Sequence, residues 1–281
     1  VRDRPASAGR SRRCRAVAGP RPRGGSRSMQ LIYDWFREFY ERTGINLTFI
    51  YDPFDRARMI KGFWLTIYLS FVTMALSIVI GIIGAWLKGA RSLLVRYGVD
   101  GFISLFRNTP PLVQIYFFYF GLGFLLPRVY SLASGAMIPL VSNIQWAILS
   151  LSLFAGAFNI EIFRSGAEAV PHSMIEAAES LGYTRGQIYL SIVLPLALRN
   201  CLPALGNNLV NLVKTTNLAY AIAVPELMYV SREIWSDAGN VPEMMIFLLL
   251  VYVGLVALLV AGLNWLERAL QIPGYGQLGG H

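Results

Sequence analysis

The sequence predicts an all-α integral membrane protein with five transmembrane helices, and three observations lead there. The chain is 55% hydrophobic with mean hydropathy +0.49, more apolar than an ordinary soluble domain. Two uncharged runs, residues 63–87 (FWLTIYLSFVTMALSIVIGIIGAWL) and 244–266 (MMIFLLLVYVGLVALLVAGLNWL), each exceed the roughly 20 residues a helix needs to cross a bilayer. Further uncharged runs cover 108–127 and 129–160, and Arg199 alone interrupts 186–213. The five spans are expected near 63–87, 102–126, 142–163, 188–213 and 244–267.

Four segments follow from this pattern: a tail at 1–28, an N-terminal segment at 29–61, a membrane body at 62–270 and a short tail at 271–281. The net charge of +9 suggests nucleic acid until it is located. Residues 1–28 hold nine Arg and one Asp, and everything after them sums to +1. That leading segment is rich in Arg, Pro, Gly and Ser without apolar period, so disorder is expected, and it lacks the apolar core of a secretory signal. Met29 follows it, and the native protein is expected to begin there; a solvated tail and an arm for nucleic acid or lipid headgroups are the other readings. Residues 31–45, LIYDWFREFYERTGI, are aromatic and mixed in charge, which predicts a helix lying in the membrane interface. Asn46, Leu47 and Thr48 form a glycosylation sequon, a match that arises often by chance.

Between the first two expected spans stand Lys88, Arg91 and Arg96, whereas the next loop has only Arg128. The positive-inside rule makes the first loop cytoplasmic, the N-terminus outside and the C-terminus cytoplasmic. The stretch SMIEAAESLGYTRGQIYLSIVLP (173–195) is then cytoplasmic too. Ser173 and Glu176 have capping-box spacing, Gly182 suits a left-handed helix end, and Thr184 with Gln187 repeats the box. A helix of about two turns starting at Ser173, a bend and a new helix are expected.

Glu176, Ala177 and Ala178, then Gly182, then Ile192 to Pro195, have a spacing that resembles the EAA loop of permease subunits of bacterial ABC importers. FRNTPPLVQIYFFYFGLG (106–123), NIEIFRSGAEAVP (159–171), LPLALRNCLPALGNNLVNLVKTTNLAYAIAVPEL (194–227) and WLERALQIPGYG (265–276) are similar to corresponding stretches of the polar amino-acid subfamily. Asn108, Met174, Ile175 and Asn217 depart from its usual residues. The resemblance covers about residues 60–276 and implies a type I (MetI-like) permease architecture, with the loop at 171–186 docking into a cleft of a cytoplasmic ABC ATPase subunit. It also implies two permease chains, identical or not, paired with two ATPases, an extracytoplasmic solute-binding protein and an amino-acid substrate. In that role Ala177 and Ala178 permit close backbone approach, Glu176 favours the positive helix start, and Gly182 turns the chain toward span four.

Within span four, Asn200, Asn207, Asn211 and Lys214 fall at steps of 7, 4 and 3 on one helical face. Polar side chains at membrane depth face protein or water rather than lipid. Two readings stay open: a stripe lining a substrate path, and hydrogen bonding between helices that holds a dimer. Glu161 and Arg164, three apart, suit a salt bridge. Thr109 before Pro110 and Pro111 reads as an N-cap with Pro at the first helical position, which suits a local break in span two near the cavity. Pro195 and Pro203 remove donors from span four and suit a kink. Cys14 and Cys201 are too far apart in setting to pair, and two histidines make no metal cluster. No phosphate-binding Gly-Lys loop and no clustered His, Cys or acidic constellation occurs, so neither cofactor nor metal is expected, and the chain is not expected to be an enzyme itself. An importer for an opine or another amino-acid derivative, and an ATPase-independent transporter, are the alternatives.

Overall fold

The structure, a computed structural model, describes residues 27–131 and 135–270; Cys14 with most of the Arg-rich tail, and residues 271–281, lie outside the described residues. The helices are α1 (Arg27–Thr43), α2 (Thr48–Tyr51), α3 (Pro53–Lys88), α4 (Leu93–Asn108) and α5 (Pro111–Leu125). After an antiparallel ribbon, β1 (Arg128–Ser131) with β2 (Ala136–Pro139), come α6 (Asn143–Glu168), α7 (His172–Ser180), α8 (Arg185–Ile222), α9 (Leu227–Ala238) and α10 (Val241–Leu270). Four of them, α3, α6, α8 and α10, are long and apolar enough to cross a membrane, and α5 is a shorter apolar helix.

The first spanning helix starts ten residues before its uncharged run. Asp52 accepts a hydrogen bond from the Phe54 amide at 3.0 Å, and Pro53 occupies the first turn, where its missing N–H costs nothing. At 1.5 Å per residue α3 is about 54 Å long against a hydrocarbon core of about 30 Å, so one end stands clear of the lipid. The charged first turns are used there: Arg58 pairs with Asp55 (2.5 Å), Asp237 (3.3 Å) and Glu233 (3.7 Å), fastening α3 to α9.

Along its membrane portion α3 packs on α6 at glycines. A Cβ on Gly81 would lie 2.5 Å from the Asn159 Cβ, and one on Gly156 would lie 2.6 Å from the Ile80 Cγ2. Small residues matter here because lipid gives no hydrophobic drive between helices, leaving close packing and polar contacts to do it. The polar contact is buried: Asn159 Nδ2 donates to Ser77 Oγ at 3.1 Å, and Asn208 Nδ2 donates to Asn159 Oδ1 at 2.7 Å and to the Ala155 carbonyl at 3.1 Å. Three spans are thus tied at one level. Around this seam, Leu69, Ile115, Leu151 and Leu212 form one buried apolar cluster, and Phe163, Cys201, Leu205 and Leu209 another.

The second span, expected near 102–126 with a local break at its prolines, is divided into two helices. The adjacent prolines cannot donate, so α4 ends at Asn108 and α5 begins anew at Pro111. Thr109 is not the N-cap of the second helix. Its hydroxyl turns back to donate to the Leu105 carbonyl at 2.7 Å, closing α4, and the N-cap position falls to Pro110. Gln114 spans the break, its Nε2 lying within 3.0 Å of the Phe106 carbonyl and of both Thr109 oxygens. The ribbon is a second departure: residues that read as an uncharged run pair from Arg128 opposite Pro139 to Ser131 opposite Ala136, with Gly135 at φ +65°. Alternating β-branched and aromatic residues such as Val129, Tyr130 and Ile138 favour strand there.

At the end of the bundle where α3 begins, the sequon residues are structural. The Asn46 amide donates to Glu243 at 3.0 Å, Asn240 Nδ2 donates to the Asn46 carbonyl at 2.9 Å, and Tyr51 donates to Asn46 Oδ1 at 2.7 Å. The turn before α2 is clasped to the link between α9 and α10.

Candidate functional site

Two places carry the residues singled out in the sequence: α7, and one face of α8. The α7 helix begins one residue earlier than expected, and the Ser173–Glu176 box does not form. Pro171, at φ −59° and ψ 130°, already sets the extended entry, so His172 is the first helical residue and Ser173 is carried past the cap position. Glu176 Oε1 instead lies 3.2 Å from His172 Nδ1. The other end matches expectation. Gly182 adopts φ +82°, its amide donates to the Glu179 carbonyl at 3.0 Å, and the Tyr183 amide donates to the Ala178 carbonyl at 3.1 Å, the paired bonds of a Schellman turn. Thr184 and Gln187 then form the complete box that opens α8. Glu176, Ala177 and Gly182 are exposed, whereas Ala178 is buried in this chain's own body. Of the two alanines, only Ala177 is free to meet another chain.

The α8 helix contains a wide π-helical turn at Tyr189–Val193, directly before Pro195, where a missing donor is accommodated by the extra residue. Farther along, Asn207, Asn211 and Lys214 are exposed, and among the described residues their side chains find no hydrogen-bond partner. Asn200 does not share this setting: it is half-buried, with Nδ2 3.5 Å from the Gly166 carbonyl on α6. The stripe therefore shortens to three residues. Beside it a groove of about 190 Å³ separates α8 from α10, lined by Pro203, Asn207, Asn264 and Glu267 among others.

Residues that the sequence left unmarked matter as much. Asn208 and Asn159 make a buried contact between helices of this one chain, distinct from the dimer-holding role suggested for the neighbouring stripe. Helical phase could have separated them, since 208 falls about 100° from 207. Arg199, noted only as an interruption, has Nε and Nη1 enclosed without an acceptor among the described residues. Glu226, fully buried in the link between α8 and α9, accepts from the Met228 amide at 2.8 Å and the Tyr229 amide at 2.9 Å. Burial pushes its carboxyl up to about 7 against the opposing pull of those two amides. At the opposite end Lys88 bridges Glu161 (2.6 Å) and Asp100 (2.9 Å), and Glu161 pairs with Arg164 at 3.0 Å as the i, i+3 spacing suggested.

Residues 77–272 match the family described as binding-protein-dependent transport system inner membrane component. The chain is 30% identical over 227 residues to the probable glutamine ABC transporter permease protein GlnM of Bacillus subtilis (strain 168), covering 81% of this chain and 99% of that one. It is also 30% identical over 226 residues to the octopine transport system permease protein OccM of Rhizobium radiobacter, covering 76% and 90%. Among solved structures, an amino acid ABC transporter crystallised with histidines superposes with a TM-score of 0.66 at 26% identity, over 76% of this chain and 94% of that one. The inward-facing MetNI methionine ABC transporter shares the fold, with a TM-score of 0.62 at 20% identity over 79% and 99%. With most of its spanning helices inside the family match and nearly full-length relatives on both sides, the chain belongs to the binding-protein-dependent inner membrane components, as a multi-pass permease subunit of an ABC importer.

Proposed function

We propose that this subunit passes a polar amino acid across the cytoplasmic membrane, with α7 as the docking element for a separate ABC ATPase. The observation that carries it is the divided face of α8. In a membrane-length helix, Asn208 is satisfied inside the chain while Asn207, Asn211 and Lys214 are turned out of it. Unpaired amides and an ammonium facing hydrocarbon would cost several kcal/mol, so that face is suited to a second permease chain or to a watered path. A zwitterionic solute offers both a carboxylate for Lys214 and an ammonium for the amide oxygens. The relatives named for glutamine and for amino acids support this substrate class; the octopine relative supports an amino-acid derivative as the second reading.

Membership of the family supports the remaining assembly. An extracytoplasmic binding protein delivers solute at the end of the bundle where α3 begins, with the N-terminus outside. Two ATPase subunits engage Glu176, Ala177 and the Gly182 turn at the other end, with the C-terminus cytoplasmic. ATP-driven closure of the ATPases then biases the spans between two packed arrangements. Reconstituted uptake of a panel of amino acids and opines, with cognate ATPase and binding protein, tests the assignment. Vanadate-sensitive uptake of an amino acid is expected; uptake that proceeds without ATPase would overturn it.

A further inference from the structure

A cleft of about 650 Å³ opens at the α7 end of the bundle, between the last turns of α3 and α6 and the first part of α8. It is larger than the groove beside the Asn207 face and lies apart from it. Its walls are apolar, including Ala85, Trp86, Phe163, Leu194 and Ala197, and its rim is charged. Lys88, Arg96 and Arg164 line it with one carboxylate, Glu168, which is itself paired with Arg164. Asp100 and Glu161, which hold Lys88 and Arg164, are not among the lining residues. Arg96 has no carboxylate partner among the described residues and is exposed.

An occupant must therefore satisfy two demands at once: an apolar body for the walls, and negative charge for Arg96, the lining cation without a carboxylate partner among the described residues. A zwitterionic amino acid satisfies neither well. The walls come from the ends of uncharged helix runs, so the cleft sits where hydrocarbon gives way to headgroups. Basic pockets between spanning helices at that level suit phosphate headgroups of anionic lipids, and a guanidinium presents a planar fork to phosphate oxygens. We propose that this cleft is a binding site for one anionic phospholipid, with its phosphate on Arg96 and its upper acyl chains against Trp86 and Ala197. The site is independent of which solute the importer carries and requires only that the chain be embedded in a bilayer. An anionic lipid held there would brace α3, α6 and the start of α8, the elements from which α7 projects.

Native mass spectrometry of the purified permease–ATPase complex, titrated with phosphatidylglycerol or with phosphatidylcholine of the same chains, tests this. Tighter retention of phosphatidylglycerol is expected. Arg96→Gln should weaken it about fivefold, the worth of one cation beside an anionic headgroup, and Arg96→Lys should retain most of it. Arg128→Gln, on the ribbon, should change nothing, and inorganic phosphate should not displace the lipid. Equal retention of the two lipids, indifference to Arg96→Gln, or displacement by inorganic phosphate would each overturn the assignment.

Discussion

Asn207 and Asn208 are neighbours with opposite surroundings, and substituting each in turn separates a packing role from the proposed transport role. Replacing Asn208 with Leu removes two hydrogen bonds and strips Asn159 Oδ1 of its donor. Thermal unfolding of the detergent-purified complex should show a loss of about 0.6 to 1.7 kcal/mol, the range for polar contacts between spanning helices. Asn207→Leu should leave that midpoint in place and slow reconstituted uptake; the reverse pattern would hand the transport role to the inner ladder. Glu226 supplies a pH dependence. Its folded-state pKa, about 7, lies above the usual 4.5, so the folded protein keeps a proton that the unfolded chain releases. The stability gained is full below pH 4.5 and is lost as pH rises through about 7. The unfolding midpoint should fall between pH 5 and 8, and Glu226→Gln should flatten that slope. Composition could not announce this residue, because its burial is made by packing against α3 and α10.

At the scale of elements, the ends of α7 show what local sequence can and cannot specify. Gly182 was legible, since a left-handed turn tolerates few other residues, and so was the Thr184–Gln187 box. The Ser173 box was not, because Pro171 competes for the same start and wins by fixing its own backbone. Gly182→Val is therefore expected to unfold the Schellman turn and misdirect α7 while the bundle stays intact, because nothing lies within 4 Å of the position to clash. Pull-down of the ATPase together with uptake should show binding and coupling lost from a normally inserted permease. Gly156→Leu should act differently, driving a side chain into Ile80 and separating α3 from α6. Overpacking of this kind costs about 1 to 3 kcal/mol and should appear as reduced thermal stability before any change in ATPase binding.

Across the whole molecule, the spans were readable because lipid demands long apolar helices with their backbone satisfied internally. The break in the second span was readable from its prolines, whereas the Gln114 bridge across it, the exposed ribbon and the Asn46 clasp, whose partners lie almost two hundred residues away, were not. The open face of α8 leads to a molecular prediction. In a cysteine-free background, Asn211→Cys and Asn207→Cys should react with a water-soluble maleimide in the assembled, membrane-embedded importer, and Asn208→Cys should not. Labelling at Asn211 that is blocked by solute would place it on the path. No labelling at either exposed position, with cross-linking between protomers instead, would place that face at the contact between permease chains.

The Asn46 clasp also sets an order of manufacture. Asn46 leaves the ribosome almost two hundred residues before Asn240 and Glu243, the groups that hold it. Throughout synthesis of the intervening spans its backbone remains solvated, and it is secured only when the final helix has been threaded. The turn that guards the start of α3 thus behaves as a completion seal. A chain arrested before α10 should be cut by protease near Asn46, and the finished chain should resist at the same place.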